Sequence, residues 1–295
     1  MVIWGLLGNV EYDIRTKGMD KLNKAAEQVS TGDIQLKLIW LDYLEIEIES
    51  GKEMVIRYEG EKLDFPDYYW LMVGNTDGRF VEKLLEAQGV KPIVPLNEIH
   101  VVRSKVLGYE RLARAGLPIP RTRAFFRNTN TSGIIKDLGY PFVVKPNGGH
   151  GGFGVTLIHN EEEWKQYSEQ LVEGETYIAQ EYISTSKGKD LRIVLVNGEV
   201  LSAITRTASD PNEFRSNAAQ GGVIAKVTPE AEVTDMAKRA AALFDIPLIT
   251  VDFMYTPTGY TIAEVNAFPS TVRDPEEQQK VVHGVMEYWM RRMKK

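Results

Sequence analysis

Apolar and polar positions alternate in short blocks along the first hundred residues. Blocks of β-branched and aromatic residues predict strands, and blocks with apolar residues three or four apart predict helices. The predicted strands are 2–7, 35–40 and 70–73, with a hairpin formed by 46–49 and 54–58. The predicted helices are 17–29 and 78–88. Because strands and helices take turns, we expect a small α/β domain over residues 1–100.

Beyond residue 100, strand pairs outnumber helices. The predicted strands are 140–145, 155–158, 176–180, 191–196, 199–205, 249–255 and 260–266. The predicted helices are 97–115 with Asn97 as its cap, 161–171, one that begins at Thr228, and one that Asp274 caps. This pattern predicts two α+β lobes, which we place at residues 101–183 and 184–295.

Composition argues against several classes of protein. The 295 residues carry a net charge of −6, which favours neither nucleic acid nor a membrane surface as a partner. The chain has no cysteine, and its four histidines lack the HExxH spacing of zinc hydrolases. The apolar run at the N-terminus follows no basic stretch, so we expect no signal peptide and a cytoplasmic protein.

A glycine-rich loop, GGHGGFG, occupies residues 148–154. Gly149, Gly151 and Gly154 match the GxGxxG spacing, but the loop runs into a predicted strand, whereas a dinucleotide-binding loop opens a helix. Strand, glycine loop and strand in this order favour a flap whose backbone N–H groups cover phosphates. Lys145, at the end of the preceding strand, is then a candidate phosphate ligand. A flexible hairpin turn and a surface lysine are the alternatives.

The segment around a Pro257-Thr258-Gly259 turn carries two facing carboxylates. A three-residue loop is expected to pair Asp252 with Glu264, and Asn266 shares the face of Glu264 because strand side chains alternate. Two carboxylates about 5 Å apart repel by roughly 3 kcal/mol at an effective dielectric constant of 20. A hard cation with oxygen ligands offsets this repulsion, so the pattern predicts Mg²⁺. The alternative is a solvent-exposed face on which both side chains point into water.

Further polar residues are candidates for nucleotide or substrate binding only when they are considered together. Gln180 and Glu181 end an apolar strand, whose backbone and side chains suit a nucleotide base. Asp190 is a candidate for the ribose hydroxyls. The arginines at 192, 206 and 215 suit phosphate or carboxylate, although surface charge is the default explanation of each arginine taken singly.

Taken together and in this order, the segments resemble the ATP-grasp superfamily, and specifically its RimK-like branch of amino-acid ligases. The resemblance covers roughly residues 96–269. The matching segments are LNEIHVVRSK, ERLARAGLPIP, YPFVVKP with the glycine loop, QEYI, DLRIVLVNGEV, EFRSN, VDF and EVN. This resemblance implies an ATP-grasp fold, with α+β lobes preceded by an N-terminal α/β domain. It also implies roles for residues whose function the sequence pattern alone did not decide.

The roles implied by the resemblance cover ATP, metal and catalysis. The expected nucleotide-binding residues are Lys105, Lys145, Gly149, Gly151, Gly152, Gly154, Gln180, Glu181, Tyr182, Ile183, Asp190, Arg215, Ser216 and Asn217. The expected ligands of two Mg²⁺ ions, for which Mn²⁺ is a substitute, are Asp252, Glu264 and Asn266. Arg206, together with Arg192, is expected to stabilise the group in transfer.

The implied activity is that of a ligase that uses ATP to convert a carboxylate to an acyl phosphate and couples it to an amine. An amino acid such as glutamate is expected to join a peptide, a cofactor precursor or a natural product, and a homo-oligomer is possible. A carrier-protein thiol as acceptor, an ATP-binding regulatory module without turnover, and, more remotely, a dehydrogenase are the alternatives.

Two departures from the ribosomal-protein-modifying members of the branch lie near the expected acceptor. Ala218-Ala219-Gln220 replaces a histidine and arginine before the double glycine, and AFPSTVRD after EVN lacks the proline-glycine turn of those members. The ATP chemistry is therefore expected to carry over without the same acceptor. Arg273 is a candidate for holding a substrate carboxylate.

Overall fold

A computed structural model describes residues 1–7, 27, 34–73, 78–148, 152–216, 222–267 and 274–293. Its strands are β1 (Val2–Leu7), β2 (Gln35–Trp40), β3 (Leu44–Glu47), β4 (Val55–Tyr58), β5 (Glu61–Leu63), β6 (Tyr68–Val73), β7 (Lys91–Pro92), β8 (Thr122–Phe126), β9 (Phe142–Pro146), β10 (Thr156–Ile158), β11 (Thr176–Glu181), β12 (Lys189–Val196), β13 (Glu199–Thr207), β14 (Val223–Lys226), β15 (Leu248–Thr256) and β16 (Gly259–Ala267). Its α-helices are α1 (Gly78–Ala87), α2 (Leu96–Arg103), α3 (Lys105–Arg114), α4 (Ser132–Leu138), α5 (Glu161–Glu169), α6 (Ala231–Ala241) and α7 (Pro275–Met293).

The chain divides into two compact units. The first contains Met1–Leu96 and Asp274–Lys295, and the second contains Asn97–Arg273. In this division the last helix belongs with the N-terminal region, whereas the sequence pattern assigned 184–295 to one lobe. The boundaries 1–100, 101–183 and 184–295 remain a proposal.

The first unit is built on a parallel sheet in the order β2-β1-β6-β7. Its strands β1 and β2 have the bounds that the sequence predicted, and Trp4, Ile39 and Leu85 are buried in the core of this unit. The predicted hairpin is confirmed, since β3 pairs antiparallel with β4. The predicted helix 17–29 lies outside the described residues apart from Glu27, which is helical.

The last helix, α7, begins as the sequence predicted. The Asp274 carboxylate accepts a hydrogen bond from the Glu276 backbone N–H at 3.0 Å, which satisfies a donor at the start of the helix. The apolar face predicted for this helix includes Trp289, which is fully buried and meets Trp70 edge to face at a centroid distance of 5.2 Å. Within the described chain, no helix is long and apolar enough to cross a lipid bilayer.

The second unit contains two antiparallel sheets. The first has the order β10-β9-β11-β8. In β9, Phe142 and Val144 are buried in its core, so the alternation of side chains turns Val143 and Lys145 to the opposite face. Gln180 of β11 pairs with Val143 and shares that face. This face forms one wall of the site described below.

The other sheet of this unit has the order β14-β13-β12-β15-β16. Its hairpin from β12 to β13 turns through Asn197 and Gly198, whose φ angles of 50° and 83° are those of the turn that such a pair favours. Helix α6 packs its buried small side chains, such as Ala237 and Ala240, against this sheet. The opposite face is then available for polar side chains.

The hairpin from β15 to β16 pairs Asp252 with Glu264, as predicted, but by a different route. The loop has two residues rather than three, because Thr256 pairs with Gly259. The register then shifts by one between Asp252 and Phe253, so that Ala263 is an extra residue in β16. The predicted three-residue loop was therefore wrong, and a bulge compensates for the shorter turn.

Two predicted helix starts were also wrong. The single helix 97–115 is two helices, because the Ser104 hydroxyl accepts the Leu107 N–H at 3.3 Å and begins α3 anew. The helix expected to start at Thr228 begins at Ala231, after Glu230. The Ser104 contact thus interrupts the helix that the pattern of residues 97–115 predicted.

Candidate active site

A cavity of about 220 Å³ opens between the two sheets of the second unit. Most of the residues singled out by the sequence line it. These are Lys105, Lys145, Gly152, Gln180, Glu181, Tyr182, Ile183, Asp190, Arg192, Arg206, Arg215, Ser216, Asp252, Glu264 and Asn266. Gly154 is not among the lining residues. Gly149, Gly151, Asn217 and Arg273 lie outside the described residues.

Asp252 lies at the centre of a buried cluster of charges. Its carboxylate accepts two hydrogen bonds from the Arg192 guanidinium, at 2.7 and 2.6 Å, and one from Arg206 at 2.9 Å. The residue is only 4% exposed. Burial alone would raise the pKa of the Asp252 carboxyl, but Arg192 and Arg206 outweigh burial and hold that pKa below its usual range.

Asp190 joins the same cluster from β12. Its carboxylate accepts a hydrogen bond from Arg206 Nε at 2.8 Å, a second from Arg206 Nη2, and one from the Ser216 hydroxyl at 2.6 Å. The carboxylate predicted to meet the ribose is thus engaged within the sheet. Its contact with nucleotide stays a prediction.

Glu264 is paired with a lysine rather than left to repel Asp252. The Lys105 ammonium lies 3.0 Å from a carboxylate oxygen of Glu264, and the side chains of these two residues are 9% and 31% exposed. Like-charge repulsion was the argument for a metal at this hairpin. In the structure, Arg192, Arg206 and Lys105 neutralise the carboxylates.

Lys145 lies on the opposite wall of the cavity. Its ammonium donates to Gln180 Oε1 at 3.1 Å and to the Tyr109 hydroxyl at 3.0 Å. The Gln180 amide in turn donates to the Thr122 hydroxyl at 2.8 Å. The lysine predicted to contact phosphate is therefore held in one position by two fixed side chains.

The segment from Gln180 to Ile183, which includes the residues predicted to suit a nucleotide base, lines the cavity. The Glu181 carboxylate accepts hydrogen bonds from the backbone N–H and the Nε of Arg121, both at 2.9 Å. That side chain is thus used to fix the end of β11. Tyr182 meets Phe214 edge to face at 6.3 Å across the cavity lining.

Hydrogen bonds hold the chain at Asn147, just before the glycine loop, and at Gly152 within it. Before the loop, Asn147 Oδ1 accepts the Val106 N–H at 2.9 Å at the start of α3. Within the loop, the Gly152 carbonyl accepts a hydrogen bond from Arg215 at 3.4 Å, while Glu213 binds Arg215 through both carboxylate oxygens. These contacts connect the loop to helix α3 and to the segment that follows β13.

Comparison with known proteins agrees with this geometry. The family model of the RimK-like ATP-grasp domain matches residues 102–281. A ribosomal protein bS6–L-glutamate ligase of Salmonella schwarzengrund (strain CVM19633) is 32% identical over 248 residues, which are 80% of this chain and 80% of that one. The chain belongs to the RimK-like ATP-grasp family.

Solved structures support the ATP-grasp fold of this RimK-like protein. A D-alanine–D-alanine ligase from Bacillus anthracis, complexed with ATP, has a TM-score of 0.69 at 18% identity and covers 100% of this chain and 99% of its own. A RimK-domain ATP-grasp protein from Sphaerobacter thermophilus DSM 20745 has a TM-score of 0.66 at 17% identity and covers 98% and 99%. The resemblance read from the sequence is confirmed. The RimK-like protein is an ADP-forming ligase of the class that makes carbon–nitrogen bonds.

The ATP-grasp family uses ATP and a divalent metal. Asp252, Glu264 and Asn266 offer two carboxylates and an amide, the oxygen donors that Mg²⁺ prefers. Among the described residues, no three His, Cys, Asp or Glu side chains gather to hold a metal, so the donor set depends on the amide of Asn266. The set fits Mg²⁺, provided that the Lys105 ammonium leaves Glu264.

Two cavity-lining or adjoining residues of the RimK-like protein were missed by the sequence analysis. Tyr109 follows Lys105 by four positions on α3, and this helical spacing is the signal that would have found it. Lys189 lines the cavity, and its ammonium lies 4.6 Å from the centre of the Tyr255 ring. No motif in the sequence distinguishes Lys189, at the start of β12, from its neighbour Lys187.

Proposed function

We propose that this protein joins an amino acid, such as glutamate, to a peptide, cofactor precursor or natural product through an acyl phosphate. The observation that carries the proposal is the alignment of Asp252 and Glu264 on one face of a sheet, among three cations. Lys145 and Gln180 form the wall across the cavity. A triphosphate between these walls would meet cations on both sides.

The lining of the cavity suggests where each part of ATP binds. The backbone of Glu181 to Ile183 suits the adenine edge, and Lys105 and Lys145 suit the phosphates. The glycine loop suits a cover over the phosphates. Asp190 remains a candidate for the ribose, with Arg215 and Ser216 at the phosphate end.

Asp252, Glu264 and Asn266 are the proposed ligands of two Mg²⁺ ions, for which Mn²⁺ would substitute. When bound, Mg²⁺ supplies positive charge that offsets the charge developing on the transferred phosphoryl group. The Lys105 ammonium, now 3.0 Å from Glu264, would move to a phosphate oxygen. The lysine thus exchanges one anion for another and stays neutralised throughout.

Arg192 and Arg206 are proposed to stabilise the group in transfer. Both guanidiniums are fixed by Asp252 and Asp190, so they need no reorganisation when charge develops. In the first step a substrate carboxylate oxygen bonds to the γ-phosphorus, and the bond to ADP breaks. In the second step the amine nitrogen bonds to the acyl carbon, phosphate leaves, and the amine loses a proton to solvent.

The acceptor is proposed to be a peptide or small molecule held near the end of the cavity lined by Asn266. The bS6–L-glutamate ligase relative is named for glutamate and a ribosomal protein, and this supports an amino acid as one substrate. The segments that depart from such relatives, 218–220 and 267–274 with Arg273, suggest a different acceptor. A cytoplasmic location and a homo-oligomer remain part of the proposal.

ADP release over a panel of amino acids and acceptors, followed by product mass, tests the proposal. We expect ADP and an amide product that require Mg²⁺, and loss of both in Glu264→Gln. A thioester product with a carrier protein would favour the thiol acceptor. Nucleotide binding without ADP release across the whole panel would contradict the ligase and favour a regulatory module.

A further inference from the structure

The alignment of the proposed metal ligands depends on one extra residue in β16. Phe253 pairs with Ile262, and the next pair is Asp252 with Glu264, which leaves Ala263 without a partner of its own. An uninterrupted ladder would place Ala263 opposite Asp252. Because strand side chains alternate between faces, Glu264 would then point to the other side of the sheet. The bulge at Ala263 therefore brings the two carboxylates together.

Two contacts from outside the hairpin hold this bulge. The Tyr109 hydroxyl donates a hydrogen bond to the carbonyl oxygen of Ala263. The Ile262 backbone N–H, beside the bulge, donates to the Pro118 carbonyl oxygen at 2.9 Å. Tyr109 is only 4% exposed, so little bulk water reaches its ring to compete for these groups. A bulge fixed in this way has one register.

The same hydroxyl also orients a lysine of the opposite wall. Lys145 donates to the Tyr109 oxygen at 3.0 Å, so this hydroxyl accepts from one wall of the cavity and donates to the other. An ammonium has three N–H donors. Tyr109 and Gln180 take two of them, which fixes the direction of the third. Helix α3 carries Lys105 on the same face, four residues before the tyrosine.

We propose that Tyr109 is a positioning residue for the ligase reaction. Its hydroxyl holds the Ala263 bulge, and thereby the facing pair of Asp252 and Glu264, while it orients the Lys145 ammonium toward the phosphates. This inference rests on the proposed function, since it presumes that the pair binds metal with ATP. Tyr109 is not among the residues that line the cavity, so its role is exerted through Ala263 and Lys145.

The test compares Tyr109→Phe with Tyr177→Phe. Tyr177 is a matched control because it is 7% exposed and its hydroxyl accepts the Val172 backbone N–H at 3.0 Å, on a strand of the same unit. Each variant keeps the ring and loses one hydroxyl. Melting temperature is measured for both, together with binding of a non-hydrolysable ATP analogue during a Mg²⁺ titration, and amide hydrogen exchange over residues 259–267.

We expect both variants to lose a similar amount of melting temperature. Only Tyr109→Phe should raise the Mg²⁺ concentration for half-maximal analogue binding, by about ten-fold or more, as is usual when an outer partner of a metal ligand is lost. Only Tyr109→Phe should speed amide exchange around Ala263. A merely structural tyrosine would lower the melting temperature and leave the Mg²⁺ dependence unchanged.

An unchanged Mg²⁺ dependence in Tyr109→Phe, or an equal shift in Tyr177→Phe, would overturn the inference. Failure of the unmodified protein to bind the analogue with Mg²⁺ would count against the proposed function instead. Amide exchange decides the role of Tyr109 even then, because it needs no ligand. Equal exchange around Ala263 in both variants would show that the tyrosine does not hold the bulge.

Discussion

Replacement of Asp252 by asparagine should strongly destabilise the second unit. The carboxylate accepts three hydrogen bonds of 2.6 to 2.9 Å from Arg192 and Arg206, and the residue is 4% exposed. Asparagine removes the negative charge and places an amide N–H₂ where one oxygen faced a guanidinium donor. Arg206 would keep its ion pair with Asp190, but the ion pair between Arg192 and Asp252 would be lost.

The expected loss follows from burial. Removal of one partner from a buried ion pair costs about 3–5 kcal/mol, because the remaining charge is left uncompensated. A whole domain is stable by only about 5–15 kcal/mol, so this loss is a large fraction of the total. Glu264→Gln should cost about 1 kcal/mol or less, because that side chain is 31% exposed and fewer donors surround it. Repulsion between the two carboxylates alone would have predicted a gain from either change.

Urea denaturation followed by circular dichroism measures the total loss, and amide exchange in β12 and β15 locates it. The matched control is Glu264→Gln, which removes the same charge from the facing strand position. We expect Asp252→Asn to be the less stable of the two by at least about 2 kcal/mol. Equal stability of the two variants, or an Asp252→Asn variant as stable as the unmodified protein, would refute the reasoning.

Three further predictions concern the pH dependence of stability, the pairing of Lys105 with Glu264, and the space beside Gly188. Burial alone would raise the pKa of the Asp252 carboxyl, but its arginine partners hold that pKa low. The ionised carboxylate should therefore stabilise the fold above about pH 4, and this stabilisation should be lost as pH falls through the pKa of Asp252 in the folded protein. An acid titration of unfolding should show less of this loss in Asp252→Asn. Lys105→Met should tighten Mn²⁺ binding in the absence of nucleotide about five-fold, because Glu264 loses its lysine partner, as electron paramagnetic resonance would show. The same variant should bind an ATP analogue more weakly, as calorimetry would show. Tighter binding of both ligands would contradict the proposed move of Lys105 from Glu264 to a phosphate oxygen. Gly188→Ala should lower the melting temperature more than Gly174→Ala. Both glycines have positive φ, but only at Gly188 would a Cβ lie 2.9 Å from a backbone oxygen. Equal losses of melting temperature in the two variants would contradict this steric clash.

Much of the local structure could be predicted because it is encoded locally. Strands β1 and β2 have the predicted bounds, since β1 is a run of six non-polar residues and β2 begins with alternating polar and apolar residues. The turn at Asn197-Gly198 follows from the readiness of these residues to adopt positive φ. The break between α2 and α3 could not be predicted. Ser104 also bonds Asn147, which is 43 residues away, and this contact fixes the second helix start.

The candidate site also has features that the sequence predicts and features that it does not. The order of motifs determined the family. The facing pair of Asp252 and Glu264 was predicted from a three-residue loop, whereas a two-residue loop and the bulge at Ala263 produce that pairing in the structure. Each of those inferences concerns residues close in sequence, or a pattern that a whole family shares.

Only the tertiary structure decided how those carboxylates are neutralised and aligned. Lys105 meets Glu264, and Tyr109 meets Ala263 across 154 positions of sequence, because helix α3 packs beside β16. Hydrophobic periodicity predicts which face of a strand is buried, but it does not predict which side chain from another element will lie opposite a given residue. That choice is made by the packing of whole elements, and here it determines both the charge balance of the site and the register that brings the carboxylates together.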